Sequence, residues 1–580
     1  MKSQRQLLSM ALSLFVCQSS FAWQAPAPSP APASAPVGVI PAQERAFTHT
    51  NKKDPDLLDS PFFPKQSWFK RHFAEPMPKV DLRGVTKFDD YVVDGKLELS
   101  LRSYLQLVLA NNVDIDVQRL NVEITRNAIT RAYAPFDPFF TGSFTSTRTK
   151  TQSTSSLEGA QTLNQLVQPM NFAYTQTLDN GLQYTAGFNA NKTSTNNSFS
   201  FFNPALNAQM SASFVMPLLR NRGREVNRLP ITIARSRLEI SSQNFLNTLL
   251  TLISNAENAY WDLLGGRETL RVQEKALELS AEALKRSKKE LELGAISPLD
   301  IYQPEANYAT AEIQVLQARY RLQQFEDSLR RQMGADLDAK YRNMPITLTE
   351  TPLPPNSTME IDRESSVSKA LGLRPDLKAL VEEIKTDDLS LKQASNALRP
   401  DLGLRGSYTS TGRGGDFFNR VGNNVTVVRG GFPDALDQVF GFNFPIYQFG
   451  LTLRLPIRDR GAAANYADAV LAKRQDVLNR RSVEQTIRQQ VLNAVSQVES
   501  SKASVKLAAV ARDFAQKQLD AEQKKYDLGT SVIFFVLDAQ TRLVNAEAQL
   551  VNTTIQYRRN QITLLRVTGD LLQDRGIQVQ

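Results

Sequence analysis

The chain has 580 residues, which is more than one ordinary compact domain contains. Its mean hydropathy is −0.33, and no run of about 18 apolar residues occurs, which excludes a helical membrane protein. The formal net charge is +9, but charges of both signs are mixed along stretches such as Lys285–Glu292, as on solvated helix faces, so nucleic-acid binding is not expected.

The N-terminus predicts export. A basic start and the apolar run Leu7–Cys17 are followed by Ser20–Ala22, where small residues suit cleavage, so residues 1–22 are a predicted signal peptide. A lipoprotein would instead be modified at Cys17, but Val16 stands where that signal usually has a small residue. Cleavage after Ala22 would remove the single cysteine of the chain and leave neither a thiol nor a disulfide.

Residues 23–95 are predicted to form a Pro-rich linker and an irregular N-terminal extension. The stretch 24–37 reads QAPAPSPAPASAPV, a composition typical of extended chain that joins no core. The two histidines, His49 and His72, lie in this extension and are not at metal-ligand spacing.

From Lys96 onward the chain is predicted to consist of two similar halves, residues 96–350 and 351–580, joined by a Pro-rich linker at Thr351–Pro355. Each half holds an opening helix, a block of strands, one very long helix, a tight turn and a final helix. In the first half these are a helix over about 101–134, strands over about 138–219, and helices over about 224–293 and 298–333. In the second half they are a helix over about 367–398, strands over about 401–456, and helices over about 462–527 and 533–568.

The two halves share the turn between their last two helices. LGAISPLDI begins at Leu293 and LGTSVIFFVLDAQ begins at Leu528, and the same offset of 235 residues aligns further pairs without a gap as far as Gly334 and Gly569. An ungapped run that ends on matched glycines indicates an internal repeat.

The strand blocks alternate apolar and polar residues. Stretches that begin at Leu182, Leu402, Phe440 and Phe449 all show this pattern. Such strands form either a soluble sandwich or, in an exported chain, a membrane barrel with its apolar residues outside. The first block also has a strong hairpin signal, Asp-Asn-Gly at 179–181. The glycine-rich run Gly412 to Gly415 is predicted to be a loop turn.

The two long helices would each reach roughly 100 Å at about 1.5 Å per residue. Along the first, leucines recur every seven residues, which predicts the seam of a coiled coil. These leucines are Leu270, Leu277, Leu284 and Leu291. Gly265 and Gly266 are predicted to weaken the same helix locally, by about 1 kcal/mol each.

These features together resemble the TolC family of outer-membrane efflux proteins, the outer membrane factors. The resemblance rests on LSLRSYLQLVLANN, LRPDLKAL, the Pro and Arg-Gly that close each strand block, and the two turns, and it covers roughly residues 96–571. It implies a mixed α and β membrane protein that assembles as a homotrimer. Strands of three copies would close one transmembrane β-barrel, and two structural repeats per protomer would continue it as a periplasmic α-helical coiled-coil barrel. The family usually has four strands per protomer, so the hairpin at 179–181 would be either an extra barrel hairpin or an extension of the usual strands above the membrane.

The resemblance also implies a function. The protein would be a passive exit duct for small molecules or proteins in a tripartite efflux or type I secretion system. It would sit in outer-membrane lipid with its helices in the periplasm, and its partners would be a periplasmic adaptor and an inner-membrane transporter of the RND, ABC or MFS type. A general porin and a structural envelope coiled coil are alternatives; the first would need alternating segments through most of the chain, and the second would not need barrel strands. No HExxH motif, phosphate-binding loop or nucleophile beside a histidine occurs, so neither an enzyme nor a cofactor is expected.

By the same resemblance, the adaptor would dock at the two turns. The turn glycines are expected in any case, because glycine tolerates the left-handed backbone of a tight turn. The residues expected at the docking site are Gly294, Ala295, Ser297, Gly529, Thr530 and Ser531.

The family also closes its periplasmic entrance near these turns. There a Tyr and an Arg beside the second turn bond to an Asp after the first turn, and two Asp rings line the constriction. Tyr526 matches the Tyr and Asp300 the Asp, but the Arg position holds Ser531; of the ring positions, Asp538 is kept and the other is Phe535. We therefore expect a mixed gate, with Tyr526 bonded to Asp300, an apolar Phe535 constriction and an Asp538 ring. The alternative is that Phe535 packs between helices as core.

Overall fold

The structure is a computed structural model that describes residues 88–154, 158–350, 361–421 and 424–577. The predicted signal peptide, Cys17, the two histidines, most of the N-terminal extension and the linker at 351–355 lie outside these residues. Within the described ranges no helix has an apolar run long enough to cross a membrane. The described residues combine long helices with one large sheet, so the fold is mixed α and β.

The elements follow one another in a similar order in both halves. The described strands are β1 (Val92–Val93), β2 (Lys96–Leu99), β3 (Phe139–Phe144), β4 (Thr147–Gln152), β5 (Thr162–Thr177), β6 (Gln183–Thr195), β7 (Ala205–Pro217), β8 (Ile346–Leu348), β9 (Asp401–Gly414), β10 (Phe417–Val421), β11 (Asn424–Val428) and β12 (Pro445–Arg454). The described α-helices are α1 (Leu101–Asn111), α2 (Val113–Tyr133), α3 (Arg224–Asn227), α4 (Leu229–Glu292), α5 (Tyr302–Met333), α6 (Ala339–Arg342), α7 (Arg363–Leu373), α8 (Pro375–Ala397), α9 (Phe432–Phe440), α10 (Arg460–Asp527), α11 (Ile533–Thr568) and α12 (Leu571–Asp574).

Each opening helix is interrupted, where the sequence suggested one continuous helix. Asn112 separates α1 from α2, because its side-chain oxygen accepts hydrogen bonds from the backbone N–H groups of Asp114 (3.0 Å) and Ile115 (3.3 Å) and so caps a new helix. In the second half Arg374 separates α7 from α8, because it precedes Pro375, and a residue before proline is kept out of the helical conformation.

The long helices α4 and α10 contain 64 and 68 residues without a break. The predicted weak point at Gly265 and Gly266 is not seen, since α4 continues through both residues. A Cβ at Gly265 would lie 2.8 Å from Ile555 of α11, and a Cβ at Gly266 would lie 2.8 Å from Phe325 of α5. The glycines therefore let two neighbouring helices approach α4 closely, which offsets their low helix propensity.

The predicted leucine seam of α4 is only half-buried. The deeply buried positions beside it are smaller, and these are Val272, Ala276, Ala283 and Ser287. The seam is thus centred on small side chains, and the leucines flank it.

The largest buried cluster holds the middle of α4. It lies where α1, α4 and α5 meet the small sheet of β1, β2 and β8, and its members include Tyr104, Ile253, Tyr260 and Met333, all 0% exposed. Burying side chains of this size contributes roughly 1.5–3 kcal/mol each. The Tyr260 hydroxyl donates to the carbonyl of Leu99 at 3.2 Å, so this buried hydroxyl has a hydrogen-bond partner. From this anchor the end of α4 projects about 30 residues further, or roughly 45 Å.

The large sheet has the order β12-β9-β7-β6-β5-β3, and β4 continues β3 along the same side of β5. All neighbours in it are antiparallel. Two predictions about this region are wrong. Gly412 and Gly414 lie inside β9 rather than in a loop, because α9 packs so closely on them that a Cβ would overlap its backbone. The alternating stretch from Phe440 is the end of α9 and a turn before β12, not a strand.

Both strand blocks begin and end at the same end of the sheet, next to helices. We call this the helical end. There the Asn396 side-chain amide at the end of α8 donates to the Asn221 side-chain oxygen (2.7 Å), just after β7. At the same end, the Asp179 carboxylate between β5 and β6 pairs with Arg224 (3.2 Å) and Arg228 (2.5 Å) at the start of α3 and α4.

Candidate functional site

The candidate site is formed by the two turns at the ends of the long helices. We call residues 294–301, between α4 and α5, the first tip, and residues 529–532, between α10 and α11, the second tip. Gly294 has φ +71° and Gly529 has φ +72°, the left-handed conformation that ends helices. The next N–H donates back into the helix in both tips, from Ala295 to the Glu290 carbonyl (2.8 Å) and from Thr530 to the Lys525 carbonyl (2.9 Å).

The rest of each tip is held by its own polar groups. In the first tip the Ser297 N–H donates to the Asp300 carboxylate (3.1 Å), and the Asp300 N–H donates to the Ser297 carbonyl (2.9 Å). In the second tip the Thr530 hydroxyl donates to the Lys525 carbonyl at 3.0 Å, and the Ser531 hydroxyl donates to the Glu522 carboxylate at 3.4 Å. The predicted docking residues are exposed except for Ser531, which is half-buried.

The predicted hydrogen bond between Tyr526 and Asp300 is not formed. Tyr526 lies in the last turn of α10 and donates its hydroxyl proton to Glu290 of α4 at 2.6 Å. The ends of α4 and α10 meet through their last turns, so Tyr526 reaches Glu290, one helical turn before Gly294, and not a residue after the glycine. Burial raises the pKa of Tyr526 to about 12, and the hydrogen bond to Glu290 is the next cause.

Tyr526 belongs to a charged group that we call the tip cluster, made of Arg286, Glu290, Tyr526 and Asp527. The Arg286 guanidinium contacts Glu290 at 3.1 Å and Asp527 at 3.0 Å, and it lies 4.5 Å from the centre of the Tyr526 ring. Sequence reasoning missed Arg286 and Glu290. Their spacing of four residues on one helix was a signal, but a common one.

Phe534 and Phe535 are not core residues of the single chain. Their side chains are 55% and 52% exposed, and their rings meet edge to face at 5.5 Å and 79°. The residues that α11 buries at this level are Val536, Leu537 and Ala539. An exposed aromatic pair at the start of a helix is available to contact another molecule or another copy of this chain.

Asp538 is paired on its own helix. Its carboxylate accepts a hydrogen bond from Arg542 at 2.8 Å, one turn further along α11. Because the pair is largely exposed, its charges partly cancel at short range while both remain hydrated. The structure thus brings Tyr526 together with the end of α4, but it brings neither Asp300 nor Asp538 to Tyr526. Among the described residues, no group of His, Cys, Asp or Glu is arranged to hold a metal ion.

Comparison with known proteins gives consistent similarities. A family model described as outer membrane efflux protein matches residues 181–335 and 366–570, which include both tips. The chain is 26% identical over 353 residues to outer membrane protein TolC of Escherichia coli (strain K12), covering 59% of this chain and 66% of that relative, slightly less than two thirds of its length. It is 25% identical over 357 residues to outer membrane efflux protein BepC of Brucella suis biovar 1 (strain 1330), covering 60% of this chain and 70% of BepC.

The fold is also similar to a solved structure. The crystal structure of the Campylobacter jejuni CmeC outer membrane channel superposes with a TM-score of 0.58 at 16% identity, covering 86% of this chain and 94% of that one. At this identity the likeness concerns the fold alone.

Proposed function

This chain belongs to the outer membrane efflux protein family, and on that premise we propose that it is the exit channel of a tripartite efflux or type I secretion system. Its location is the cell outer membrane. The observation that carries the proposal is the direct connection of an amphipathic sheet to helices of 64 and 68 residues that end in exposed tips. At about 1.5 Å per residue such helices extend roughly 100 Å away from the sheet. That length suits a duct, whereas the strands of a general porin are joined by short turns at one end.

The channel would be a homotrimer. Its sheet has an unpaired strand at each edge. One edge is β12, the other is formed by β3 and β4 end to end, and every residue of these strands is exposed. Unpaired backbone groups cannot remain in lipid, so the edges need partner strands, and another copy of the chain supplies them. Two similar halves per copy would give the helical wall of a trimer approximately sixfold symmetry.

Partners would supply both the energy and the cargo. The proposed duct is passive, and an inner-membrane transporter of the RND, ABC or MFS type would drive transport, with a periplasmic adaptor bound at the two tips. The tips suit docking because they are exposed and rigid, each held by two backbone hydrogen bonds into its own helix. We propose no catalytic role for any residue.

The periplasmic entrance would be closed by three features together. The tip cluster would hold the ends of α4 and α10 together, the exposed Phe535 would narrow the opening with apolar surface, and Asp538 would add charge moderated by Arg542. Asp300 would act indirectly, since its carboxylate holds the first tip. An apolar constriction can block ions by excluding water.

The proposal can be tested with the purified full-length chain in detergent and planar bilayers. We expect trimers that resist SDS at room temperature, a circular dichroism spectrum with both helix and strand, and discrete conductance steps without any partner. A monomer that never conducts would contradict the proposed function. Strand-dominated dichroism with conductance would instead favour a general porin.

A further inference from the structure

We infer that each copy of this chain contributes six strands to the barrel wall, so that three copies close a barrel of 18 strands (3 × 6) with a mouth wider than four strands per copy would give. The inference rests on the proposed trimeric channel. It concerns the β5–β6 hairpin, which lies inside the wall between β3 and β7 and does not extend above the membrane.

Strand pairing places the hairpin in the wall. β5 pairs with β6 over 13 residue positions, from Gln165 opposite Thr195 to Thr177 opposite Gln183. β6 then pairs with β7 over 11 positions, and β5 pairs on its other side with β3 and β4 over six positions each. Both sides of the hairpin are therefore occupied by other wall strands along its length.

The hairpin also spans the full height of the sheet. Its turn lies at the helical end, where the Asp179 carboxylate pairs with Arg224 and Arg228. Gly181, with φ +92°, packs there so closely that a Cβ would lie 2.6 Å from the Asn221 carbonyl oxygen. A hairpin that only extended the strands above the membrane would have its turn far from the start of α3 and α4.

Side-chain rows cross all six strands without a break. Residues that are direct partners in an antiparallel sheet lie on the same face. One such row is apolar apart from its tyrosine hydroxyls, and it consists of Phe140, Tyr174, Ala186, Ala212, Tyr408 and Tyr447. A neighbouring row on the opposite face is polar in five of its six positions, and it consists of Phe139, Thr175, Thr185, Ser213, Ser407 and Gln448. The hairpin thus has the same lipid-facing and lumen-facing sides as the strands around it.

Strand direction fits closure with six strands per copy. Three of the six wall strands run away from the helical end, and these are β3–β4, β6 and β9. The other three, β5, β7 and β12, run towards it. At the seam, β12 of one copy would lie beside β3–β4 of the next, and these two run in opposite directions. An even number of strands therefore gives an antiparallel barrel throughout, which an odd number could not.

The added hairpins would change what the channel can pass. Barrel diameter grows roughly in proportion to strand number, so 18 strands give a mouth about 1.5 times as wide as 12. The face they present to the lumen carries mostly hydroxyl and amide side chains, such as Asn171, Asn189 and Gln209 in one row. The mouth would therefore suit bulky polar cargo, and the narrowest point would remain at the tips.

Four single-cysteine variants test this placement. Thr185→Cys and Ala186→Cys lie on β6, on the polar and the apolar face; Ser213→Cys and Ala212→Cys lie directly opposite them on β7 and serve as matched controls. Each is reconstituted as the full chain in bilayers and treated with a charged, water-soluble methanethiosulfonate or with a lipid-soluble maleimide. The unsubstituted protein, whose only cysteine, Cys17, lies in the predicted signal peptide, reports background reaction.

We expect Thr185→Cys and Ser213→Cys to react with the charged reagent at similar rates, at least about tenfold faster than the two alanine positions, because the thiolate forms only in water. Both should lose conductance as they react, whereas Ala186→Cys and Ala212→Cys should react mainly with the lipid-soluble maleimide. The inference is overturned if the β7 pair shows this pattern while both β6 variants react with the charged reagent and conduct unchanged. An unsubstituted protein without conductance would instead overturn the proposed channel. As an independent measurement, the assembly seen by electron cryomicroscopy should show 18 strands, and 12 would contradict the inference.

Discussion

The first tip and the second tip start from one turn and continue differently. Gly294 and Gly529 have φ values of +71° and +72°, and the hydrogen bonds that follow them match atom for atom. Counted from its glycine, the first tip has eight residues (294–301) before α5, whereas the second has four (529–532) before α11. The first tip is closed by the Ser297 and Asp300 hydrogen bonds, while α11 begins almost at once with the exposed Phe534 and Phe535.

This difference separates two kinds of constraint. The turn itself is fixed by backbone geometry, which only the glycine and the preceding helix determine, so both halves keep it. The residues after the turn are free of that constraint, and one half uses them for polar capping and the other for an aromatic surface. We therefore expect the two tips to respond alike to changes in the turn and differently to changes beyond it.

The largest expected effect on efflux comes from placing bulky side chains at the proposed docking positions. Ala295→Trp and Thr530→Trp should each abolish efflux, because the proposed adaptor contact leaves no room for an indole, while trimers and surface level stay normal. Efflux of a fluorescent dye from cells measures this. Ala295→Ser and Thr530→Ser are the controls and should pump normally; tryptophan variants that pump normally would place docking elsewhere.

The next effect separates the two tips. Phe535→Ala should raise single-channel conductance several-fold, because it removes an apolar constriction. Leu299→Ala in the first tip is the matched control, since Leu299 is also apolar and 74% exposed, and it should leave conductance unchanged. If Phe535→Ala unfolds the trimer without opening it, Phe535 is an interface core residue and the apolar gate is wrong.

Changes in the turn should affect both tips equally. Gly294→Ala and Gly529→Ala should each destabilise the tip by about 1 kcal/mol, because a Cβ disfavours the left-handed conformation. No atom lies within 4 Å of that Cβ at either site, so no clash adds to the cost. Hydrogen exchange of the tip amides should accelerate about fivefold in both variants. A response confined to one tip would show that the turns are not equivalent.

The tip cluster predicts a shifted titration of Tyr526, which lies just before the second tip. Tyr526 should ionise with a pKa of about 12, against an ordinary value of 10.0. Because this pKa is raised in the folded state, the stability linked to it is present below pH 10 and is lost between about pH 10 and pH 12. Glu290→Gln should remove only part of the rise in the pKa of Tyr526, since burial, its first cause, would remain. The tyrosinate absorbance difference between the protein and its Tyr526→Phe variant measures this; an unshifted midpoint would contradict the buried contact.

The smallest effect concerns charge beyond the second tip. Asp538→Asn should lower cation selectivity by less than about twofold, because Arg542 already offsets the carboxylate and salt screens the remainder. Arg542→Ala should raise cation selectivity, because it leaves the Asp538 carboxylate unpaired. The control is Asp513→Asn, which breaks an exposed pair of the same spacing with Lys517 on α10. Reversal potentials in a salt gradient measure the selectivity. A manyfold loss of cation selectivity in Asp538→Asn would mean that Arg542 does not neutralise the ring of Asp538 carboxylates.

Local signals in the sequence were sufficient for the turns and the long helices. A glycine at the end of a periodic helical run predicts a left-handed backbone conformation there, and both Gly294 and Gly529 adopt it. The Asn-Gly pair at 180–181 likewise produces a hairpin, because its backbone preference needs no distant partner. Alternation in the stretches from Leu182 and Leu402, which became β6 and β9, predicted which residues share a face.

Contacts between distant segments could not be predicted in the same way. Tyr526 and Glu290 are 236 residues apart, and their meeting depends on where the tertiary structure places the ends of α4 and α10, which no local pattern encodes. The same limit applies to Gly265 and Gly266, where propensity suggested weakness and packing against Ile555 and Phe325 makes the glycines useful. Gly412 was misassigned to a loop for the same reason, since the helix that packs on it follows some twenty residues later.

Because both strand blocks start and finish at the helical end of the sheet, insertion of the protein into a membrane requires little translocation. Only the connections at the opposite end of the sheet have to pass through the lipid. The longest of them, residues 415–444 between β9 and β12, contains 30 residues and includes α9. The long helices α4 and α10 do not have to pass through the membrane. We therefore expect passage of this 30-residue segment to be the slowest step of assembly, whatever the length of the helical part behind it.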